Sequence, residues 1–230
     1  MTTLLQLNYS AFQEINAPAG TNPWLDTLMI FYANWLIFFF PLILITLWGR
    51  PLRWRKRPLR PGEAEILQER RAMVLWIGVA CLVAYGLNLL IEQFIFEPRP
   101  FVTHRVHLLI MHAADASFPS DHAAWAFAVA GLLLLQLLPV CFRIWRKNRK
   151  GPNEYRVAII VWPCFLTGVA VVMACSIGLS RIFVGVHYPG DILGGIFDGL
   201  LAAAIVTIFY QMLRQPTSVV LRFAYNLHLA

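Results

Sequence analysis

Three features of the sequence predict an all-α integral membrane protein, a bundle of about five transmembrane helices with an N-terminal interfacial or re-entrant helix. First, 59% of the 230 residues are hydrophobic and only 13% are charged, about half the charged share of a soluble domain. Second, mean hydropathy is +0.62, and the apolar residues gather into stretches near 26–48, 73–96, 122–142, 157–179 and 192–213. Each is long enough to cross a hydrocarbon core of about 30 Å. Third, these stretches have almost no polar face, which the helices of a soluble core would need. No internal repeat, low-complexity segment or linker interrupts the chain, so residues 1–230 are read as a single membrane domain.

The first 25 residues stand apart. Leu4, Leu5, Leu7, Phe12 and Ile15 are interleaved with Gln, Asn, Ser and Glu and stop at Ala17-Pro18-Ala19-Gly20. This segment is too short and polar to span and lacks the basic flank of a signal peptide. An amphipathic helix that lies on the membrane or re-enters it fits the pattern.

The first span opens at Trp24-Leu25-Asp26, with its aromatic residue at interfacial depth. A basic connection follows and closes with Glu63 to Arg71, read as a short helix leading into the second span. Asn88, Glu92 and Gln93 lie near the outer end of that span, where polar groups either snorkel or belong to a site. Gly194 and Gly195 in the fifth span read as close-packing positions between helices. Asp198 lies deeper, with no role assigned. The four cysteines (Cys81, Cys141, Cys164, Cys175) fall in or beside spans without metal-ligand spacing.

The formal net charge of +7 would suit a nucleic-acid binder, but its distribution argues otherwise. Eight Lys and Arg lie between the first and second spans, six between the third and fourth, and Arg214 and Arg222 follow the fifth. Only Arg99, Arg105 and Arg181 fall on the other side. The positive-inside rule makes the rich side cytoplasmic, together with the C-terminus. The N-terminal segment and the loops 97–121 and 180–191 therefore face outward. The expected partner of the basic runs is the anionic bilayer surface, not nucleic acid.

Chemistry-bearing residues gather on that outer face. Ser117-Phe118-Pro119-Ser120-Asp121-His122 leads into the third span. Ser120 or Asp121 can cap this helix, whose first N–H groups form an anion site with His122 in its first turn. Arg99, between two prolines, is held in extended backbone that suits bidentate phosphate binding. His187 and Asp191, four apart, share a helical face, so the carboxylate can fix the imidazole tautomer and leave the other nitrogen free to attack. His104, His107 and His112 have spacings of three and five, which match no common metal template. Any one of these residues alone reads as an interfacial anchor; together they read as a site.

Pro119-Ser120-Asp121-His122 and Ser180-Arg181, with His187 and Asp191 following at fixed spacing, resemble the second and third signatures of the type 2 phosphatidic acid phosphatase superfamily. Arg99-Pro100 resembles the end of the first. Beyond these blocks, Arg99-Pro100-Phe101-Val102 and the His-rich loop are similar to bacterial undecaprenyl-diphosphate phosphatases of the bacitracin-resistance type. The chain departs from the family at Glu92, where the first signature begins with a lysine. Arg105 or His104 is then expected to supply the missing charge, unless fewer cations hold the phosphate.

The resemblance implies a phosphohistidine mechanism. His187 is the nucleophile, Asp191 orients it, and His122 serves as acid and then base. Arg99, Ser120, Arg181 and Asp121, with Arg105 or His104, line the phosphate site. No metal and no cofactor is called for. The expected substrate is a polyprenyl or other phospholipid, undecaprenyl diphosphate first, dephosphorylated at the outer face of a bacterial plasma membrane. Phosphatidylglycerophosphate, phosphatidic acid and lipid A phosphate are alternatives within the class. A membrane subunit of an antibiotic exporter is the alternative outside it, although a transporter would carry polar residues at mid-membrane. The sequence leaves the oligomeric state open.

Overall fold

The computed structural model describes residues 2–49, 61–147, 161–213 and 217. Most of the basic runs counted above (50–60, 148–150 and 156), Arg214, Arg222 and the start of the fourth stretch lie outside the described residues. The described chain is helical: α1 Thr2–Asn16, α2 Pro23–Asn34, α3 Phe40–Trp48, α4 Pro61–Glu92, α5 Pro100–Thr103, α6 Asp121–Leu132, α7 Leu138–Lys147, α8 Trp162–Phe183 and α9 Pro189–Met212. It holds no strand, only an isolated bridge between Pro98 and Ala116.

Among the described residues, three helices are long and apolar enough to cross a membrane: Ile66–Glu92 within α4, then α8 and α9. The other two expected spans are broken, each beside a proline. The first splits into α2 and α3, bent by 59° around a 3₁₀ turn at Leu36–Phe39. Pro41 follows that turn, and its ring lacks an N–H and crowds the preceding turn. The third runs through α6 into a π-helical turn at Leu133–Leu137 and continues as α7. Pro139 again removes the donor that would keep the regular register. The expected short helix at Glu63–Arg71 is the first part of α4, which runs unbroken for 32 residues. Its base is tied to the end of α3, where Arg70 Nη2 donates to Thr46 O (2.7 Å) and Arg71 Nε to Trp48 O (3.0 Å). Both cations meet carbonyls at a helix C-terminus, where the helix dipole favours positive charge.

The core centres on α6, packed against α4, α8 and above all α9. In a bilayer this packing cannot come from hiding apolar surface, so it depends on close backbone approach through small residues. α6 supplies buried Ala123, Ala124, Ala128 and Gly131, and α9 supplies Gly195, Gly199, Ala202 and Ala203. A Cβ on Gly195 would come within 2.5 Å of Ser120 O. The close-packing reading of Gly195 thus places the start of α6 directly against α9. Leu82, Leu193 and Phe197 point outward from the bundle.

α1 lies across the end of the bundle that carries the 97–120 loop. Asn16 Nδ2 donates to Phe183 O (2.7 Å) and His107 O (2.9 Å), while Asn16 Oδ1 accepts from His107 N (2.9 Å). Phe12 is buried edge-on against Tyr188, whereas Leu4, Leu5 and Leu7 are exposed.

Candidate active site

His187 sits in the turn between α8 and α9, buried, with both ring nitrogens engaged. Nδ1 lies 2.9 Å from Ser117 O, a carbonyl that can only accept, so the proton is on Nδ1. Nε2 is then the lone-pair nitrogen, and Arg99 Nη1 donates to it at 3.0 Å. The expected carboxylate stands behind the ring, with Asp191 Oδ2 3.4 Å from Nδ1. Its shorter bonds go elsewhere, from Ser117 Oγ (2.5 Å) and Tyr188 N (2.7 Å). Tautomer fixation thus falls first to a backbone carbonyl, and Asp191 acts on the ring in concert with Ser117. Burial, followed by the charges of Arg181 and Arg99, holds His187 well below the usual imidazole range. The ring is neutral at neutral pH, as a nucleophile must be.

Ser117 has no recognisable sequence spacing to Asp191, 74 positions away. It arrives through loop geometry: its N–H donates to Glu97 O (2.8 Å) beside the Pro98–Ala116 bridge, and a cis Phe118–Pro119 bond follows. Arg99 comes from the other strand of that bridge. Its guanidinium also donates to Val186 O (3.0 Å) and, through Nε, to Asp115 Oδ1 (2.7 Å).

Other groups beside this network are bare. Ser120 occupies the N-cap position of α6 with extended backbone and its N–H donates to Asp191 O (3.1 Å), but its hydroxyl makes no capping bond and is buried without a partner among the described residues. Arg181 is buried near the end of α8, with one long contact from Nη1 to Ala33 O (3.4 Å). Among the described residues its Nε and Nη2 have no hydrogen-bond partner. His122 lies in the first turn of α6, within electrostatic range of Arg181, His187, His112 and Arg99. A donor-rich, unpaired wall beside a lone-pair imidazole is a ready anion site.

The remaining expected residues divide. Asp121 turns to α4 and accepts from Asn88 Nδ2 (2.6 Å), so Asn88 serves this end of the bundle and is not merely snorkelling. His104 stacks on Tyr9, with ring centroids 4.1 Å apart, and its Nδ1 meets Thr103 Oγ1 and the Tyr188 hydroxyl. Arg105 is exposed, and no hydrogen bond or ion pair joins it to the cluster among the described residues. His107 is tied to Ala19 O (2.5 Å) under α1. Of the three loop histidines, it is His112 that faces His187.

Comparison with known proteins gives the family. Residues 73–215 match the PAP2 superfamily model. Undecaprenyl-diphosphatase BcrC of Bacillus subtilis is 33% identical over 216 residues, covering 94% of this chain and 91% of that protein. Bacitracin transport permease protein BcrC of Bacillus licheniformis is 28% identical, covering 87% and 79%. The crystal structure of a PAP2-type phosphatidylglycerolphosphate phosphatase from Bacillus subtilis superposes with a TM-score of 0.57 at 21% identity, covering 94% of this chain and 90% of that one. The protein described here belongs to the PAP2 superfamily.

Proposed function

We propose that this protein is a lipid phosphatase that hydrolyses undecaprenyl diphosphate to undecaprenyl phosphate and inorganic phosphate at the outer membrane face. The observation that carries this reading is the pairing of a lone-pair His187 Nε2 with the unpartnered donors of Arg181 and Ser120. The Bacillus subtilis relative, an undecaprenyl-diphosphatase by name, supports the choice of lipid.

In the proposed reaction the terminal phosphate displaces Arg99 Nη1 from Nε2, while the guanidinium stays within reach of the phosphate oxygens. The Nε2 lone pair attacks phosphorus, and the bond to the bridging oxygen breaks. His122 gives its proton to the departing lipid phosphate. The phosphorylated ring keeps Nδ1–H and is cationic, stabilised by Ser117 O and the Asp191 carboxylate. Water, deprotonated by His122, then attacks phosphorus and returns the electron pair to Nε2. Arg99, Arg181, Ser120 and the first N–H groups of α6 hold the equatorial oxygens as charge builds.

An outward-facing site fits the bias of Lys and Arg toward the opposite side. Such an enzyme would recycle the wall-polymer carrier lipid and confer resistance to bacitracin. The test is phosphate release from undecaprenyl diphosphate by detergent-purified protein with chelator present. Wild type is expected to release phosphate and His187→Ala to lose about four or more orders of magnitude in rate. Equal release by both would remove His187 as nucleophile. No release by either would favour the exporter-subunit reading that the Bacillus licheniformis relative's name suggests.

A further inference from the structure

The pocket receives more negative charge than its two guanidiniums balance. A phosphate group brings a charge of about −1.5 to −2 at pH 7. Arg99 is already paired with Asp115 through a 2.7 Å bond, which leaves Arg181 as the cation without a carboxylate partner at hydrogen-bond distance. Among the described residues, no hydrogen bond or ion pair joins His104 or Arg105 to Arg99, Arg181 or His187.

His112 does. Its ring centroid lies 6.4 Å from that of His187, with the planes at 71°. Nδ1 is 3.2 Å from Ala113 O and 3.9 Å from Asp115 Oδ1. The ring is only 24% exposed. With Nδ1–H aimed at the carbonyl, Nε2 has no hydrogen-bond partner among the described residues and can serve a ligand.

We propose that His112 is a phosphate-binding residue of this pocket, taking up a proton as the anion arrives and supplying the charge that Arg99, paired with Asp115, does not. This rests on the reading of the pocket as a phosphate site, but not on which lipid carries the phosphate. The charged groups facing His112 are Arg99 and Arg181, with Asp115 opposed to them, and the titratable rings of His187 and His122 lie within electrostatic range. In the empty pocket, burial and the two guanidiniums hold the imidazole below its usual range. A bound dianion reverses the sign of the local field, so the protonated ring becomes favoured. Binding and proton uptake are then linked through His112.

The test uses inorganic phosphate as probe and titration calorimetry on detergent-purified full chain, in two buffers of different ionisation heat. Wild type is expected to bind phosphate with net proton uptake. His112→Ala should bind about tenfold more weakly, the loss of one charge-assisted contact. His112→Lys, charged from the start, should bind within about threefold of wild type yet take up fewer protons. A merely structural role for His112 would not produce that rescue or that change in proton count. Equal affinity in all three proteins, unchanged proton uptake, or no phosphate binding by wild type would overturn the proposal. If wild type fails to hydrolyse undecaprenyl diphosphate but phosphate binding still depends on His112, this inference stands and the lipid assignment falls. If hydrolysis is robust and His112→Ala binds phosphate like wild type, the reverse holds.

Discussion

The site's polar side chains form two sets, a nucleophile wall and an open wall, built on opposite plans. On the nucleophile wall, Arg99 donates to His187, His187 to Ser117 O, and Ser117 Oγ and Tyr188 N to Asp191, through bonds of 2.5 to 3.0 Å. On the other, Ser120 and Arg181 hold buried side-chain donors with no partner among the described residues, and His122 makes no hydrogen bond among them. Buried polar groups in native proteins are almost always paired, so unpaired ones mark either strain or a missing ligand. The contrast says which part is finished before substrate arrives and which part substrate completes. It also makes a general forecast: damage to the finished wall should cost both stability and activity, and damage to the open wall should cost activity alone.

His122→Ala is the largest test on the open wall. Losing a general acid–base is expected to lower kcat by about 10²–10⁴, with no loss of melting temperature in detergent. The loss should shrink on an aryl phosphate, whose leaving group departs without a proton, and a phosphoenzyme should then accumulate. A parallel fall in melting temperature would show that His122 belongs to the bonded wall after all.

Next come the two arginines, compared directly. Arg99→Gln and Arg181→Gln should each lower kcat/KM by about 10²–10³, as loss of a transition-state donor does. Their stabilities should part. Arg99→Gln strips donors from Val186 O and Asp115 and should cost about 1–3 kcal/mol. Arg181→Gln removes a desolvated charge with little compensation and should leave the protein as stable or more so. Arg99 also helps to depress the His187 ring. Without that cation the imidazolium becomes easier to form, so the acid limb of kcat/KM should move to higher pH.

Ser117→Ala is a smaller perturbation of the finished wall. Ser117 O still accepts from Nδ1, so the tautomer survives, and only the hydroxyl bridge to Asp191 is lost. About a tenfold drop in kcat is expected, the worth of one hydrogen bond to a charged group. A drop as deep as that of His122→Ala would mean that the hydroxyl, not the carbonyl, governs the ring.

The sequence made one kind of relation legible and hid another. His187 and Asp191 are one helical turn apart, and Ser120, Asp121 and His122 start an apolar run, so local spacing placed them near the chemistry. The close packing at Gly195 was equally local, since small residues recur along α9. Relations through loops were not legible. The path of residues 97–120 is set by Asn16 clamping His107, by Leu109 N bonding Val184 O (3.1 Å) and by the Pro98–Ala116 bridge. That path puts Ser117 under Asp191 and turns His112, not His104, toward His187. The breaks near Trp35 and Leu133 were concealed differently. Pro41 and Pro139 sit inside apolar runs whose length alone promised unbroken spans, and hydropathy does not register a missing N–H.

Glu97 offers the finest test of the bonded wall. Its backbone carbonyl holds Ser117, and its carboxyl meets the Asp191 carboxyl. Burial first, and then the Asp191 charge, push Glu97 up to about 7. An unfolded glutamate ionises near about 4.3. Between those values the unfolded chain sheds its proton first, so this group lowers stability as pH rises toward 7, and the cost then stays constant. Glu97→Gln keeps the shape but cannot ionise. Its melting temperature should match that of wild type near pH 4.5 and exceed it modestly at pH 8, modestly because the side chain is only half-buried. The same difference at both pH values would mean that Glu97 acts through packing alone, and that Asp191 meets no second carboxylate behind the nucleophile.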